Sequence, residues 1–439
     1  MARVAGRPRP LTPGGAGLTR TLTPEGARLT PTATREDPVA RLTTLLERRT
    51  VANREFFACE NERLARLCHL MAERFASSGR LIALGASPAA RSDARHVAVE
   101  FVHPVIVGKR ALPALAITAD AGELAAQVDS LARSGDIVIA FLGEPDDAGE
   151  MARVMALARE RDCLTIAFAK LGADWEFEPP GEDSYVSQEL IETLYHVLWE
   201  LVHVFFEHRG LLADRDPRPV HDAGASSFLY PFLAEREHQL EPVVDDVRRS
   251  VLMKAAEIGA LRVQTLTENR DTLLSAAQAL RHSFEHGGKL LAIGNGGSAT
   301  DAMDVVADFR CSGAEGQAWP AIDLTEDSGI LTAIANDIGI DAIFSRQVIA
   351  YGLHGDALLA LSSSGSSSNV IAALAEARRM GLLTIALVGY DGGRIGAEHL
   401  ADHVVITRSE HIPRIQEAQA SAYHVLRELV GLMPVSEAS

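Results

Sequence analysis

Short apolar runs alternate along this chain with longer stretches in which apolar positions recur every three or four residues. RLIALG (80–85), DIVIAFLG (136–143) and LTIAFA (164–169) are continuous rather than alternating. That pattern predicts strands buried on both faces of a parallel sheet. Ala/Arg/Glu-rich stretches of helical length separate them. SQELIETLYHVLWELVHVFFEH (187–208) predicts one long amphipathic helix. The pattern then restarts. KLLAIG (289–294), DALLALSSSG (356–365) and LTIALVG (383–389) predict a second set of strands, and RIQEAQASAYHVLRELVGLM (414–433) a final helix.

The two passes align as a repeat. Gly135-Asp136 matches Gly355-Asp356, LTIAFA matches LTIALV, and a Gln-x7-His spacing recurs as Gln188/His196 and Gln416/His424. A duplicated α/β unit explains this economically. The expected fold is α/β: two tandem three-layer αβα sandwiches, flavodoxin-like, with mostly parallel sheets and right-handed crossovers. Residues 1–35 hold six arginines and one acid, Glu25, among Pro, Gly and Thr, and read as a disordered basic tail. The N-terminal unit is expected at 36–210, an Asp/Pro/Gly-rich linker at 211–245 and the C-terminal unit at 246–435.

Composition narrows the functional classes. The chain has 439 residues, 47% of them apolar, and a net charge of −17. It is long enough for two cores and too acidic for a general nucleic-acid binder. Four cysteines without CxxC spacing argue against a disulfide framework or zinc ribbon and suit a reducing cytoplasm. No apolar run reaches the roughly 18–20 residues a membrane span needs. The expectation is a cytoplasmic protein without nucleic-acid or membrane partners.

Two loops carry candidate chemistry. GNGGSATDA (294–302) follows a strand and opens a helix. Its glycines let backbone N–H groups approach an anion, and the helix N-terminus favours negative charge. SSSGSSSN (362–369) follows the strand DALLAL and precedes a helix; its hydroxyls and free N–H groups form a neutral cradle for phosphate. Two such loops at two strand ends point to a sugar phosphate rather than a dinucleotide, because the spaced GxGxxG-plus-acid fingerprint is absent.

With GNGGSATDAMD, LTAIANDIGIDAIFSRQV, GDALLALSSSGSSSNVI, LVGYDGGRIG and RIQEAQ…YH together, the C-terminal unit resembles a SIS (sugar isomerase) domain of the phosphoheptose isomerase type. The resemblance implies isomerisation of sedoheptulose 7-phosphate to a glycero-manno-heptose 7-phosphate, usually with zinc, at sites on subunit interfaces. It also implies an alternative, since a related protein associates with a replication initiator without isomerase chemistry. Carried over residue by residue, Asn295, Gly296, Gly297, Asn336 and Asp337 contact the sugar and Ser362, Ser363, Ser364 and Ser367 hold the phosphate. Gln416 matches a metal-binding Gln, and His424 a ligand and acid/base.

The unit departs from the family at His-x3-Glu, which is replaced by Asp304 and Asp308. Asp is one methylene shorter than Glu, so a base at Asp308 would sit about 1 Å back. The N-terminal unit is complementary. DARHVAVEF (93–101) aligns with DAMDVVADF (301–309) and carries His96 and Glu100. With Gln188 and His196 these form a His/Glu/Gln/His set suited to Zn²⁺. Gln188 and His196 lie roughly 12 Å apart along a helix, so either one ion sits midway or the two serve different subunits. This unit is degenerate for phosphate: its loops read GASPAARSD (85–93) and LGEPDDAGE (142–150).

Two accounts fit. Substrate sits between the units, with phosphate on the second and metal from the first, or one unit is a structural partner of the other. The implied mechanism is aldose–ketose isomerisation through an enediol, with Glu100 or Asp308 moving the proton α to the carbonyl and His196 or His424 serving the neighbouring oxygen. The competing readings are a non-catalytic sugar-phosphate- or protein-binding regulator and a different sugar-phosphate transformation. Fused units suggest a homodimer that imitates the four-domain assembly of the family.

Overall fold

A computed structural model describes residues 37–105, 109–143, 147–180, 183–207, 240–311 and 317–433. The expected tail (1–35) and residues 211–239 of the expected linker lie outside them.

The N-terminal sheet comprises β1 (Leu81–Gly85), β2 (Ala114–Thr118), β3 (Ile137–Phe141), β4 (Leu164–Ala167) and β5 (Trp175–Glu176), all parallel, in the order β2-β1-β3-β4-β5. The C-terminal sheet comprises β6 (Leu290–Ile293), β7 (Ala321–Asp323), β8 (Ala357–Ser362), β9 (Leu383–Val388) and β10 (His403–Ile406), again parallel, in the order β7-β6-β8-β9-β10. The orders are equivalent, so the repeat extends to topology. The runs read as fully buried strands are so: every residue of β1, β3, β4, β6 and β8 is buried. In both sheets the order switches direction between the first and third strands, which opens a crevice at their carboxyl ends. The glycine loop follows β6 and the serine loop follows β8, so both border that crevice in the C-terminal unit.

The helices are α1 (Pro38–Ala76), α2 (Pro88–Val102), α3 (Ala121–Leu131), α4 (Ala148–Glu160), α5 (Ser184–Glu207), α6 (Leu240–Glu268), α7 (Arg270–Glu285), α8 (Gly297–Arg310), α9 (Ser328–Asp337), α10 (Ser345–Tyr351), α11 (Ser368–Met380), α12 (Gly393–Ala397) and α13 (Ile412–Leu432). Helix α6 begins inside the stretch expected to be linker. The two units trade the N-terminal parts of their leading helices. Leu42 and Leu45 of α1 pack in the C-terminal core, beside Leu266 and Leu429. Val243, Val247 and Val251 of α6 pack in the N-terminal core, beside Leu194 and Phe205. Trp199, His203 and Phe205 of α5 are core residues. The two His203 ring nitrogens meet the Trp199 and Arg110 carbonyls.

Four helices, α1, α5, α6 and α13, bring a buried charge network to the seam. Arg49 of α1 donates to Glu189 of α5 at 2.9 Å. Arg262 of α6 donates to the Glu189 carbonyl (3.1 Å), Thr193 (2.9 Å) and Asn53 of α1 (3.1 Å). Glu200 of α5 accepts from Lys254 of α6 and, at 2.9 Å, from Arg414 of α13. Burial alone raises the Glu200 carboxyl, but the two cations override it and hold it at about 2 against an ordinary 4.5. An unfolded Glu200 protonates first, so its contribution is complete above about pH 4.5 and is lost as pH falls towards 2. Glu200→Gln, which strands two buried cations, is expected to cost about 3–5 kcal/mol at pH 7 by urea unfolding. The gap from wild type is expected to narrow progressively below about pH 4.5; a gap constant down to pH 2 refutes the assignment.

Candidate active site

The serine loop folds on itself into one hollow. Ser362 Oγ accepts from the Gly365 amide at 3.2 Å and lies 3.4 Å from Ser367 Oγ; Ser364 Oγ lies 3.5 Å from the same hydroxyl and accepts from the Ser366 amide at 3.2 Å. Ser362 is buried, Ser363 and Ser367 half-buried and Ser364 exposed, so the hydroxyls grade from floor to mouth. The turn needs glycine at 365: its φ is +60°, and a Cβ would meet the Gly392 carbonyl oxygen at 2.3 Å. Asn295, at the mouth of the glycine loop, exchanges two amide hydrogen bonds with Asn369 of α11 (3.0 and 2.9 Å). This pair ties the two loops together. Asn336 and Asp337 lie exposed at the end of α9, hydrogen-bonded to each other at 2.8 Å.

Gly297 joins this hollow to the N-terminal unit. A Cβ there would come 1.9 Å from Gln416 Nε2 and 2.9 Å from His96 Nε2. The amide of α13 and the imidazole of α2 therefore converge on the C-terminal glycine loop. Around His96 stand Glu100, with Oε1 at 3.9 Å from Nε2, Asp301, with Oδ1 at 3.3 Å from Nδ1, and His196, with ring centroids 5.1 Å apart. His96, His196 and Glu192 each offer a donor atom within 4.8 Å of the others. His96, Glu100 and His196 are buried. Burial holds the His96 imidazole down at about 4 and lifts the Glu100 carboxyl to about 7.

The second cluster is the counterpart about a pseudo-twofold. His424 Nε2 lies 3.4 Å from Asp304 and 3.3 Å from Asp308. Gln188 donates to Asp304 at 2.7 Å, and so does Tyr423 at 2.7 Å. Gln188 thus serves Asp304 and not the His96 cluster, correcting its expected membership of a His96/Glu100/Gln188/His196 set. The cause is helical spacing: eight residues separate Gln188 from His196, so one helix serves both clusters. Gln416, reaching His96 from α13, takes the place expected of Gln188. Asp304 and Asp308 are buried.

The histidines are also held crosswise. His196 Nδ1 lies 3.0 Å from Glu417 Oε1 of α13, and His424 Nδ1 lies 2.9 Å from Glu189 Oε1 of α5. Burial raises both carboxyls, but neighbouring guanidiniums, Arg414 at Glu417 and Arg49 at Glu189, bring them below the ordinary value. Sequence reasoning missed both. Their signal was present, because each directly follows the repeated glutamine, at Gln188-Glu189 and Gln416-Glu417. Glu192 and Asp301 were also missed. Glu192 aligns with Ala420, so the repeat gives no cue to it.

The N-terminal unit offers no equivalent hollow among its described residues. Pro88 opens α2 without an N–H, and Ser87 Oγ caps the Ala90 amide at 3.2 Å. A Cβ at Gly143 would strike Ser87 Oγ at 1.6 Å, so the loops after β1 and β3 close on each other.

The architecture defines a class: parallel α/β units that bind ligands at the crevice of the switch point. A profile described as "SIS domain" matches residues 255–389. The phosphoheptose isomerase of Chlorobaculum parvum is 41% identical over 186 residues, which span 42% of this chain and 88% of that protein. That of Pelodictyon phaeoclathratiforme is 40% identical over 205 residues, 46% of this chain and 92% of that protein. The chain belongs to the SIS-domain family and is homologous to phosphoheptose isomerases over that part of its length. Two solved structures match across both units: tagatose-6-phosphate ketose/aldose isomerase from Escherichia coli (TM-score 0.52, 13% identity, 91% of this chain and 95% of that one) and the C-terminal domain of glucosamine-fructose-6-phosphate aminotransferase from Francisella tularensis (0.53, 11%, 89% and 94%). At these identities the likeness establishes the fold, a tandem of two SIS-type units.

The family's metal is tested by the donors present. His96 Nε2, His196 Nε2, both Glu100 carboxylate oxygens and Gln416 Oε1 are all buried without a hydrogen-bond partner. Of these residues His96 and His196, together with Glu192, bring one donor atom each within 4.8 Å of the others, a set that fits a borderline divalent cation such as Zn²⁺. Gly297→Ala forces the Gln416 amide aside. We expect Zn²⁺ affinity, measured by chelator competition, to fall at least about tenfold; unchanged affinity excludes Gln416 as a donor.

Proposed function

We propose that the chain is an aldose–ketose isomerase of phosphorylated sugars, converting sedoheptulose 7-phosphate to a glycero-manno-heptose 7-phosphate through an enediol. One observation carries the reading. The serine loop of the C-terminal unit is tied through the Asn295–Asn369 pair to the glycine loop, whose Gly297 lies against Gln416 and the buried His96 of the N-terminal unit. The chain then holds one composite active site, with a phosphate-binding half and a proton-transfer half.

Ser362, Ser363, Ser364 and Ser367 bind the phosphate, and Asn295, Gly296 and Gly297 align the sugar behind it. That remote grip positions C1 and C2 and supplies orientation before any proton moves. Glu100, its carboxyl at about 7, is matched to taking a proton from one carbon and returning it to the next near neutral pH. His196, its Nδ1 fixed by Glu417, turns a basic Nε2 towards the substrate oxygens and takes and returns the hydroxyl proton that moves between them. A zinc ion, where His96, Glu192 and His196 hold it, would supply polarisation of the carbonyl and hydroxyl oxygens in place of the His196 proton relay.

Asp304 and Asp308, whose presence favours a non-catalytic binder on sequence alone, belong to the opposite half-site. Asp308 and His424 are therefore set aside as the acid/base pair. Association of two chains into an assembly of four units belongs to the same proposal and is read by light scattering.

The discriminating experiment is the isomerase assay on sedoheptulose 7-phosphate. Glu100→Gln is expected to lower kcat at least about 10³-fold, and Asp308→Asn to leave it within about threefold. Ser364→Ala with Ser367→Ala is expected to act chiefly on KM. Equal losses in Glu100→Gln and Asp308→Asn refute the assignment of the halves. A wild type that binds the sugar phosphate without turning it over makes the protein a regulator.

A further inference from the structure

The turn after β9 reads GYDGG (389–393) and has no role in the mechanism. Three of its residues stand in the left-handed region: Tyr390 (φ +53°), Gly392 (+99°) and Gly393 (+54°). Glycine adopts that conformation freely, whereas a bulky aromatic residue does so under strain. Gly389 pins the turn, since a Cβ there would meet the Ser363 carbonyl oxygen at 2.3 Å and Ile415 Cδ1 of α13 at 2.6 Å. Tyr390 therefore stands at the corner between the serine loop and the start of α13. Among the described residues no hydrogen bond holds its phenol and no ring contact holds its ring. A strained side chain that the protein leaves unpartnered points to a ligand.

Tyr390 lines a cavity of about 340 Å³ between the two units, a size suited to a small molecule. Across it are Glu200 of α5, Lys254 of α6 and Arg414 of α13, which are committed to one another. Arg414 also donates to Glu417, the carboxylate that fixes His196. The cavity thus reaches from the corner of the serine loop to the network behind the proton-transfer half. Its uncommitted groups are the Tyr390 phenol, the His411 imidazole and the Glu257 and Glu410 carboxylates, none with a side-chain hydrogen bond among the described residues. Carboxylates repel a phosphate dianion but accept from hydroxyls, and phenol and imidazole can both donate and accept. This wall suits a neutral, hydroxyl-rich segment, and the serine loop beside it suits the phosphate at the end of that segment.

We propose that Tyr390 reads the sugar part of the substrate. Its phenol hydrogen-bonds a hydroxyl on the carbons between phosphate and carbonyl, and its left-handed backbone presents it to the cavity. The inference rests on the sugar-phosphate reading above and names a residue that recognises the ligand beyond its phosphate.

The test compares two probes by titration calorimetry on the full chain. Inorganic phosphate reports the serine hollow alone. The heptitol phosphate made by reducing sedoheptulose 7-phosphate keeps the hydroxyls and has no carbonyl to isomerise. Wild type is expected to bind the heptitol phosphate at least about tenfold more tightly than phosphate. Tyr390→Phe, which removes only the hydroxyl, is expected to shrink that ratio about three- to tenfold and to leave phosphate affinity within about twofold. Tyr390→Asn, which suits a left-handed backbone, is expected to shrink the ratio at least as far, with a thermal midpoint at or above that of wild type. Variants that keep the wild-type ratio overturn the role of Tyr390 and leave the isomerase reading standing. So do variants that weaken both probes alike and lower the thermal midpoint, because the tyrosine then only supports the serine loop. A wild type that binds both probes equally overturns this inference and the sugar-phosphate reading together. Neither probe turns over, so the comparison decides whatever the isomerase assay returns.

Discussion

The structure depends on a crosswise pairing of buried histidines with carboxylates. Each long helix supplies one histidine to its own unit and a glutamate to the histidine of the other: Glu417 holds His196, and Glu189 holds His424. Such groups cannot stand unpaired in a core, since breaking a buried ion pair costs about 3–5 kcal/mol. Neither unit can satisfy its own histidine. Helices α1 and α6 reinforce this, because the N-terminal part of each packs in the other unit's core and both contribute cations, Arg49 and Arg262 at Glu189 and Lys254 at Glu200. Two halves that might have been beads on a string are thereby one folding problem.

Fusion of the halves frees them to diverge. A pair of identical subunits must carry two identical sites, because every substitution appears twice. Within one chain, each half-site can change alone. The serine hollow and Gly297 remain beside His96, Glu100 and His196, while the closed loops at Ser87 and Gly143 belong to the unit that lends those catalytic side chains. The losses are therefore complementary rather than cumulative. Read unit by unit, each half has lost something essential. Read across the seam, one site keeps everything and the other keeps only its carboxylates and its histidine.

The fold was legible because its signals are local. Parallel strands buried on both faces leave continuous apolar runs, and duplication prints them twice, so the central strands and the layered α/β class followed from sequence, whereas the edge strands β2, β5, β7 and β10 and the strand order did not. The serine loop was legible for the same reason, since a strand end and a helix start frame it within eight residues. The membership of each cluster was not. Whether Gln188 or Gln416 meets His96 depends on how α5 lies against α13, and nothing within α5 encodes that angle. Likewise no local signal in the sequence marks Asp304 and Asp308 as buried. They are buried because α8 packs on α2 of the other unit, a contact that no periodicity records.

The exchanged carboxylates also bear on what each histidine can do. An imidazole whose Nδ1 donates to a carboxylate presents a basic Nε2, in fixed orientation, to whatever lies in front of it. At His196 that is the orphaned donor set of Glu100 and Gln416, next to the phosphate hollow; at His424 it is a pair of aspartates with no hollow beside them. The glutamate behind each histidine is placed alike in the two halves, so it cannot be the source of their difference. The difference lies in the residues opposite, where His-x3-Glu on α2 became Asp-x3-Asp on α8. One scaffold thus sets up two equivalent imidazoles, and a change on the facing helix, together with the closure of two loops, separates chemistry from structure.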